Sequence, residues 1–215
     1  PAAVKELLDH INVPMVIFPG NHDLYSLSNE KGNITIDGRE YWKDFFGAFH
    51  FILDYGPIRL ICFNTYDWDP MVRNENKEYA ILTDTRHTAE GAITKEELKW
   101  TLKELKSAGN RTPILVSHHS PRQFERDPMI QCRDCVPVKK FISAIKKFHV
   151  PYYLYGHIHR NEEYGENGTH FIATSSIGSD VNEPDLWGIR IIDVQSKNSI
   201  ATRYLKLFDH PPIDR

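Results

Sequence analysis

A mixed α/β sandwich is the fold class that the sequence predicts, and three observations predict it. The apolar runs are strand-length and rich in β-branched and aromatic residues, as at Met15-Val16-Ile17-Phe18 and Ile114-Leu115-Val116. Stretches of helical periodicity alternate with such runs through the middle of the chain, while its ends are strand-rich. No repeat, low-complexity tract or Pro/Gly/Ser-rich linker divides the 215 residues, so one domain over residues 1–215 is expected.

The elements follow from local signals. Val4, Leu7, Leu8 and Ile11 have helical spacing, and Val13-Pro14 ends them. Residues 15–18 then read as a buried strand running into Gly20-Asn21-His22-Asp23. Residues 49–55 and 59–64 flank Gly56-Pro57 as two strands of a hairpin. Residues 66–91 show no strong periodicity and are long enough to be a functional insertion. A helix comes next: Thr94 and Glu97 form a capping box, Leu98, Leu102 and Leu105 an apolar stripe, and Gly109 lies past the end. It leads to the strand at residues 114–116, which ends at Ser117-His118-His119-Ser120-Pro121. A second helix carries Val138, Phe141, Ile142, Ile145 and Phe148 on one face and closes at Val150-Pro151. Residues 152–155 form a strand that ends at Gly156-His157-Ile158-His159, and residues 188–194 and 200–207 are strands joined by a polar turn.

Composition narrows the classes of function. With 40% hydrophobic, 12% aromatic and 26% charged residues, the chain can bury a core, which excludes disordered, collagen-like and coiled-coil classes. No apolar run approaches the roughly 20 residues of a membrane helix, so no membrane span is expected. The 26 Lys+Arg against 29 Asp+Glu give a net charge of -3, so nucleic acid is expected only as a possible substrate. Cys62 lies in an apolar run. Cys132 and Cys135 make a single Cys-x-x-Cys, a surface pair or local disulfide, because a four-thiolate zinc site needs a second pair. Asn-x-Thr sequences at Asn33, Asn110 and Asn167 favour an exported protein over a cytoplasmic one without deciding between them. The chain opens at Pro1 in mid-helix with no initiator Met, and the expectation is a fragment whose start has been removed.

Three strands run directly into histidine-bearing loops, at Asn21-His22-Asp23, His118-His119 and His157-x-His159. In α/β folds, sites form outside the carboxyl ends of strands, so these loops are expected to converge. Imidazoles with Asn and carboxylate oxygens suit Zn, Mn, Fe, Co or Ni, which makes the expected site a metal site. His157 and His159, two apart on an extended segment, would share one face. His119 either faces substrate or packs. His10, His50, His87, His149, His170 and His210 lack this context and read as surface or packing residues. Trp68, Arg122 and Arg160 lie near the presumed site loops, with a solvated face as their favoured reading.

The order and spelling of these loops resemble the calcineurin-like metallophosphoesterases, which include purple acid phosphatases and cyclic-nucleotide phosphodiesterases. Gly20-Asn21-His22-Asp23, His118-His119-x-Pro121 and Gly156-His157-x-His159 match that family's third, fourth and fifth motifs. The resemblance implies a four-layer αββα sandwich with two mixed β-sheets. It also implies a phosphoesterase that hydrolyses a phosphomonoester or phosphodiester by in-line attack of a hydroxide bridging two divalent or mixed-valence metal ions. By the same resemblance, Asn21, His118 and His157 hold one metal and His159 belongs to the second. His22 approaches the leaving-group oxygen as acid or electrostatic stabiliser, and Asp23 orients its imidazole.

The family's first two motifs, Asp-x-His and Gly-Asp-x-x-Asp, supply the remaining ligands and normally precede the Asn-His-Asp loop, and neither occurs in this chain. The expectation is therefore a partial metal site, an absent N-terminal strand or strands, and slow or no turnover by the chain alone. A non-catalytic binding or scaffold module on the same fold is the alternative, against which the retention of Asn21, His22, His118, His157 and His159 argues. The sheet edge beside residues 15–18 is expected to be exposed, covered by the missing N-terminal segment or by a partner chain. The substrate is a phosphate ester, with specificity expected in residues 66–91 and 122–137, which carry Trp68, Tyr79 and Phe124.

Overall fold

The computed structural model describes residues 6, 9–10, 12, 14–75, 89–125, 132, 134–177, 187–196 and 199–206. The expected opening helix, residues 76–88 with Tyr79, residues 126–131 and Leu207 lie outside them.

Asp37 starts the first helix. It ends the ribbon of β1 (Ser26–Ser28) and β2 (Ile34–Asp37), and its carboxylate accepts the Arg39 N–H at 2.9 Å, capping α1 (Gly38–Phe45). The same carboxylate binds Arg73 through both guanidinium nitrogens, at 2.9 and 3.0 Å. Arg73 is almost fully buried and also donates to the Trp68 and Leu24 carbonyls, so this one charge ties three loops together beside the site. Gly56, at φ +52, then reverses the chain so that β3 (Phe51–Tyr55) pairs with β4 (Ile58–Cys62), Tyr55 opposite Ile58.

From β4 onward, helix and strand alternate: α2 (Lys95–Lys106), β5 (Thr112–Val116), α3 (Val138–Lys146) and β6 (Tyr152–Tyr155), followed by β7 (Glu162–Glu166) and β8 (Thr169–Ala173). These build a six-stranded sheet in the order β3-β4-β5-β6-β8-β7, parallel from β4 through β8, with antiparallel strands at both edges. Ile61, Phe63, Leu115, Tyr153 and Phe171 from the sheet side pack with Leu98, Leu105, Phe141 and Ile145 of the two helices into the main core. The antiparallel ribbon of β9 (Gly188–Ser196) and β10 (Ser199–Lys206) joins the opposite face. Side chains alternate along β6, so Tyr152 points away from Tyr153 and the core, and its hydroxyl donates to the Ile200 carbonyl at 3.3 Å. The fold is thus the mixed α/β class expected. No helix among the described residues is long and apolar enough to cross a membrane.

Three local expectations are corrected. Residues 15–18 form no strand: Met15 and Val16 are 42% and 52% exposed, and the segment joins no described ladder. A strand exists only where a neighbour takes its backbone groups, and an apolar run cannot supply that neighbour. The described sheet edges are β3 and β7, and the Phe18 ring meets Phe51 of β3 edge-on at 6.2 Å. The capping box at α2 is half made. Thr94 accepts the Glu97 N–H at 3.2 Å, but the Glu97 carboxylate turns to the His50 ring and the Asn64 N–H, each at 2.8 Å. Trp68 is core, 1% exposed, with its indole N–H donated to the Glu90 carbonyl. Cys132 and Cys135 form a local disulfide.

Phe141 is fully buried, with the rings of Phe63 and Phe124 at 5.8 and 5.5 Å. Phe141→Ala is expected to lower unfolding free energy by about 3–5 kcal/mol in urea titration, because the cavity it leaves is walled by strands and helices that cannot close over it.

Candidate metal centre

Sheet register brings the site together. Cys62, Val116 and Leu154 lie in one row across β4, β5 and β6. Three residues past each of them come Thr65, His119 and His157, so side chains far apart in sequence leave the sheet at one level. The Gly156 N–H donates to the His118 carbonyl at 3.0 Å and the Ser117 N–H to the Leu154 carbonyl at 3.1 Å, extending the ladder into the loops.

Asn21, His118 and His157 converge. The Asn21 Oδ1 lies 2.8 Å from His118 Nε2, which lies 3.2 Å from His157 Nδ1. These are the spacings of adjacent ligands around an ion about 2.1 Å from each, which sit about 3 Å apart. Asn21 is 1% exposed and caps a 3-10 turn at His22–Leu24. Gly20 makes room for the close approach: a Cβ there would fall 2.7 Å from His118 Cε1. The donor set of one amide oxygen and two imidazoles fits a divalent transition ion.

Burial keeps these rings neutral, as ligation requires. Desolvation, with smaller contributions from neighbouring imidazoles, pushes His118 down to about 3 and His157 to about 4. The charges of His22 and His159 add to the lowering of both.

His119 belongs to the same cluster by distance, one ring nitrogen from each of His118, His119 and His157 lying within 4.8 Å of the others. Hydrogen bonding removes it from the ligand set. Its Nε2 faces the Ala89 carbonyl at 2.9 Å and must carry the proton, and its Nδ1 then accepts from Thr65 Oγ1 at 2.9 Å. The two readings of His119 therefore resolve to packing: it is fully buried, pushed well below its ordinary pKa by burial, and stacked on Tyr66 at 5.8 Å. Gly91 is needed beside it, since a Cβ there would meet the ring at 2.7 Å.

His157 and His159 do not lie on an extended segment. Both have left-handed backbone, φ 68 and 53, and Ile158 N–H closes a γ-turn onto the Gly156 carbonyl at 2.8 Å. Each such residue costs about 1–2 kcal/mol, a local strain that the surrounding fold must offset. The Ser175 hydroxyl holds the His159 carbonyl at 3.2 Å. His22 is exposed, its ring 4.8 Å from that of Tyr25. Asp23 is also exposed, and its carboxylate accepts the Gly20 N–H at 2.8 Å, turning back to the backbone instead of to His22. Arg122 lies over the Tyr164 ring at 3.4 Å, and Arg160 pairs with Glu162 at 3.1 Å.

Sequence reasoning missed two residues that the site uses. Thr65 stands at a strand end just as the histidines do, and the same positional rule would have found it. Tyr25 comes one helical turn after Asn21, whose Nδ2 it receives.

The low values of His118 and His157 give a sign to pH dependence. Their unfolded forms bind protons near pH 6.5 and their folded forms only near 3–4, so the metal-free chain is expected to lose stability progressively as pH falls from about 6.5 toward 4. Thermal unfolding against pH should show this slope, and His118→Gln should reduce it.

A family model described as calcineurin-like phosphoesterase matches residues 1–161. Among solved structures, a dimetal phosphatase from Danio rerio is similar at 15% identity and a TM-score of 0.49, over 81% of this chain and 64% of that one. The chain thus spans less than two thirds of that relative's length. No curated protein matches its sequence.

Proposed function

The chain belongs to the calcineurin-like phosphoesterase family, and from that premise we propose that it supplies the histidine-bearing half of a two-metal centre hydrolysing a phosphomonoester or phosphodiester. The observation that carries the reading is the convergence of Asn21 Oδ1, His118 Nε2 and His157 Nδ1 at 2.8 and 3.2 Å, behind three separate chain segments. These three residues hold one ion, and His159, just past the γ-turn, is assigned to the second. Bound divalent ions, of Mn, Fe, Zn, Co or Ni, would polarise the phosphoryl oxygens and acidify attacking water.

The chain's own residues do the rest. Burial keeps the His118 and His157 rings neutral, so their lone pairs are available at neutral pH. His119 props the two rings from behind, fixed by Thr65 and Ala89. His22, exposed and next in the chain to Asn21, would donate a proton to the departing oxygen. Asp23 serves by closing the turn at Gly20 that presents His22.

Mn2+-dependent hydrolysis of an aryl phosphate monoester and diester, with metal content, tests this in the full natural polypeptide. His118→Ala is expected to lose both metal and turnover. His22→Asn is expected to keep the metal and lose about 100-fold to 10,000-fold in turnover. A metal-free, inert but folded protein would contradict the enzyme reading and favour the non-catalytic module.

A further inference from the structure

We infer that Tyr25 is a positioning residue for this centre, holding the Asn21 amide through its hydroxyl and the His22 imidazole through its ring; the inference rests on the function proposed above. The Asn21 side chain has two ends in a site 1% exposed, and each needs a partner. Its Oδ1 is the end turned to His118, so the Nδ2 must be met elsewhere, and the Tyr25 hydroxyl accepts it at 2.7 Å. With that acceptor removed, the orientation that presents oxygen to a cation would leave a buried NH2 group unsatisfied, and the flipped amide would gain ground. The Tyr25 hydroxyl is in turn hydrogen-bonded to Tyr66, which is 1% exposed and stacks on His119. The chain from His119 through Tyr66 and Tyr25 to Asn21 therefore anchors a ligand on an exposed turn to the sheet core.

The same ring faces His22. Asp23, the neighbour expected to orient that imidazole, is bonded to Gly20 instead, and among the described residues the ring that meets His22 is Tyr25's, at 4.8 Å and 53°. One side chain thus sets both a metal donor and the proton donor, through separable parts: the hydroxyl for Asn21, the ring for His22.

Tyr25→Phe removes only the hydroxyl, and Tyr25→Leu removes both parts. In the full natural polypeptide, Mn2+ titration calorimetry is expected to show roughly tenfold weaker binding in both variants, the usual cost of losing a group that orients a metal ligand. The rate on an alkyl phosphate relative to p-nitrophenyl phosphate reads the second part, since only the alkoxide needs a proton to leave. That ratio is expected to fall about tenfold in Tyr25→Leu and to stay at the unmodified value in Tyr25→Phe. If Asn21→Ala weakens Mn2+ binding while Tyr25→Phe stays within about twofold of the unmodified protein, the hydroxyl's role is overturned. An unchanged ratio in folded Tyr25→Leu overturns the ring's role. If Asn21→Ala itself leaves Mn2+ binding unchanged, the proposed centre fails first, and the positioning role with it.

Discussion

Several imidazoles are packed at the carboxyl ends of the parallel strands of one mixed sheet, and their exclusion from water is the constraint on which the rest of the site depends. A charged ring cannot be afforded there, so burial holds His118 and His157 neutral and each nitrogen must find a partner. For His119 the partners are protein atoms, Thr65 Oγ1 and the Ala89 carbonyl, and the ring becomes structural. For His118 and His157 the partners are each other and Asn21, an arrangement whose spacings a cation fits. The same burial that makes the site costly as bare protein makes it receptive to metal.

Register turns this local chemistry into a site. Because β4, β5 and β6 run parallel and in step, the loops after them emerge together and bring Thr65, His119 and His157 to one level. This is why the His118 and His157 loops were legible as neighbours in the sequence: strand ends followed by His are visible without a structure, and in an α/β fold strand ends meet, whereas the Asn21 loop reaches them with no described strand before it. The hairpin at Gly56, the α2 stripe and the strand leading to His118 were legible for the same reason, since each rests on local spacing and a turn residue.

What was not legible depends on partners distant in sequence. Residues 15–18 carry the apolar character of a strand but have no described neighbour to pair with. Glu97 has the spacing of a capping box, yet His50, from 47 residues earlier, and the Asn64 N–H claim its carboxylate. The His157 γ-turn replaces the extended segment that alternation suggested, and spacing alone gives no sign of a positive φ at a histidine. Asp23 is adjacent to His22 but bonds Gly20, and the residue that does meet His22, Tyr25, is distinguished only once the chain has folded.

Locating a bound ion would test the account most directly, by anomalous diffraction at the manganese edge from crystals grown with Mn2+. The account predicts a peak about 2.1–2.3 Å from Asn21 Oδ1, His118 Nε2 and His157 Nδ1, with His119 still bonded to Thr65 and Ala89. A peak ligated by His119, or none at this cluster in a folded protein, would contradict it.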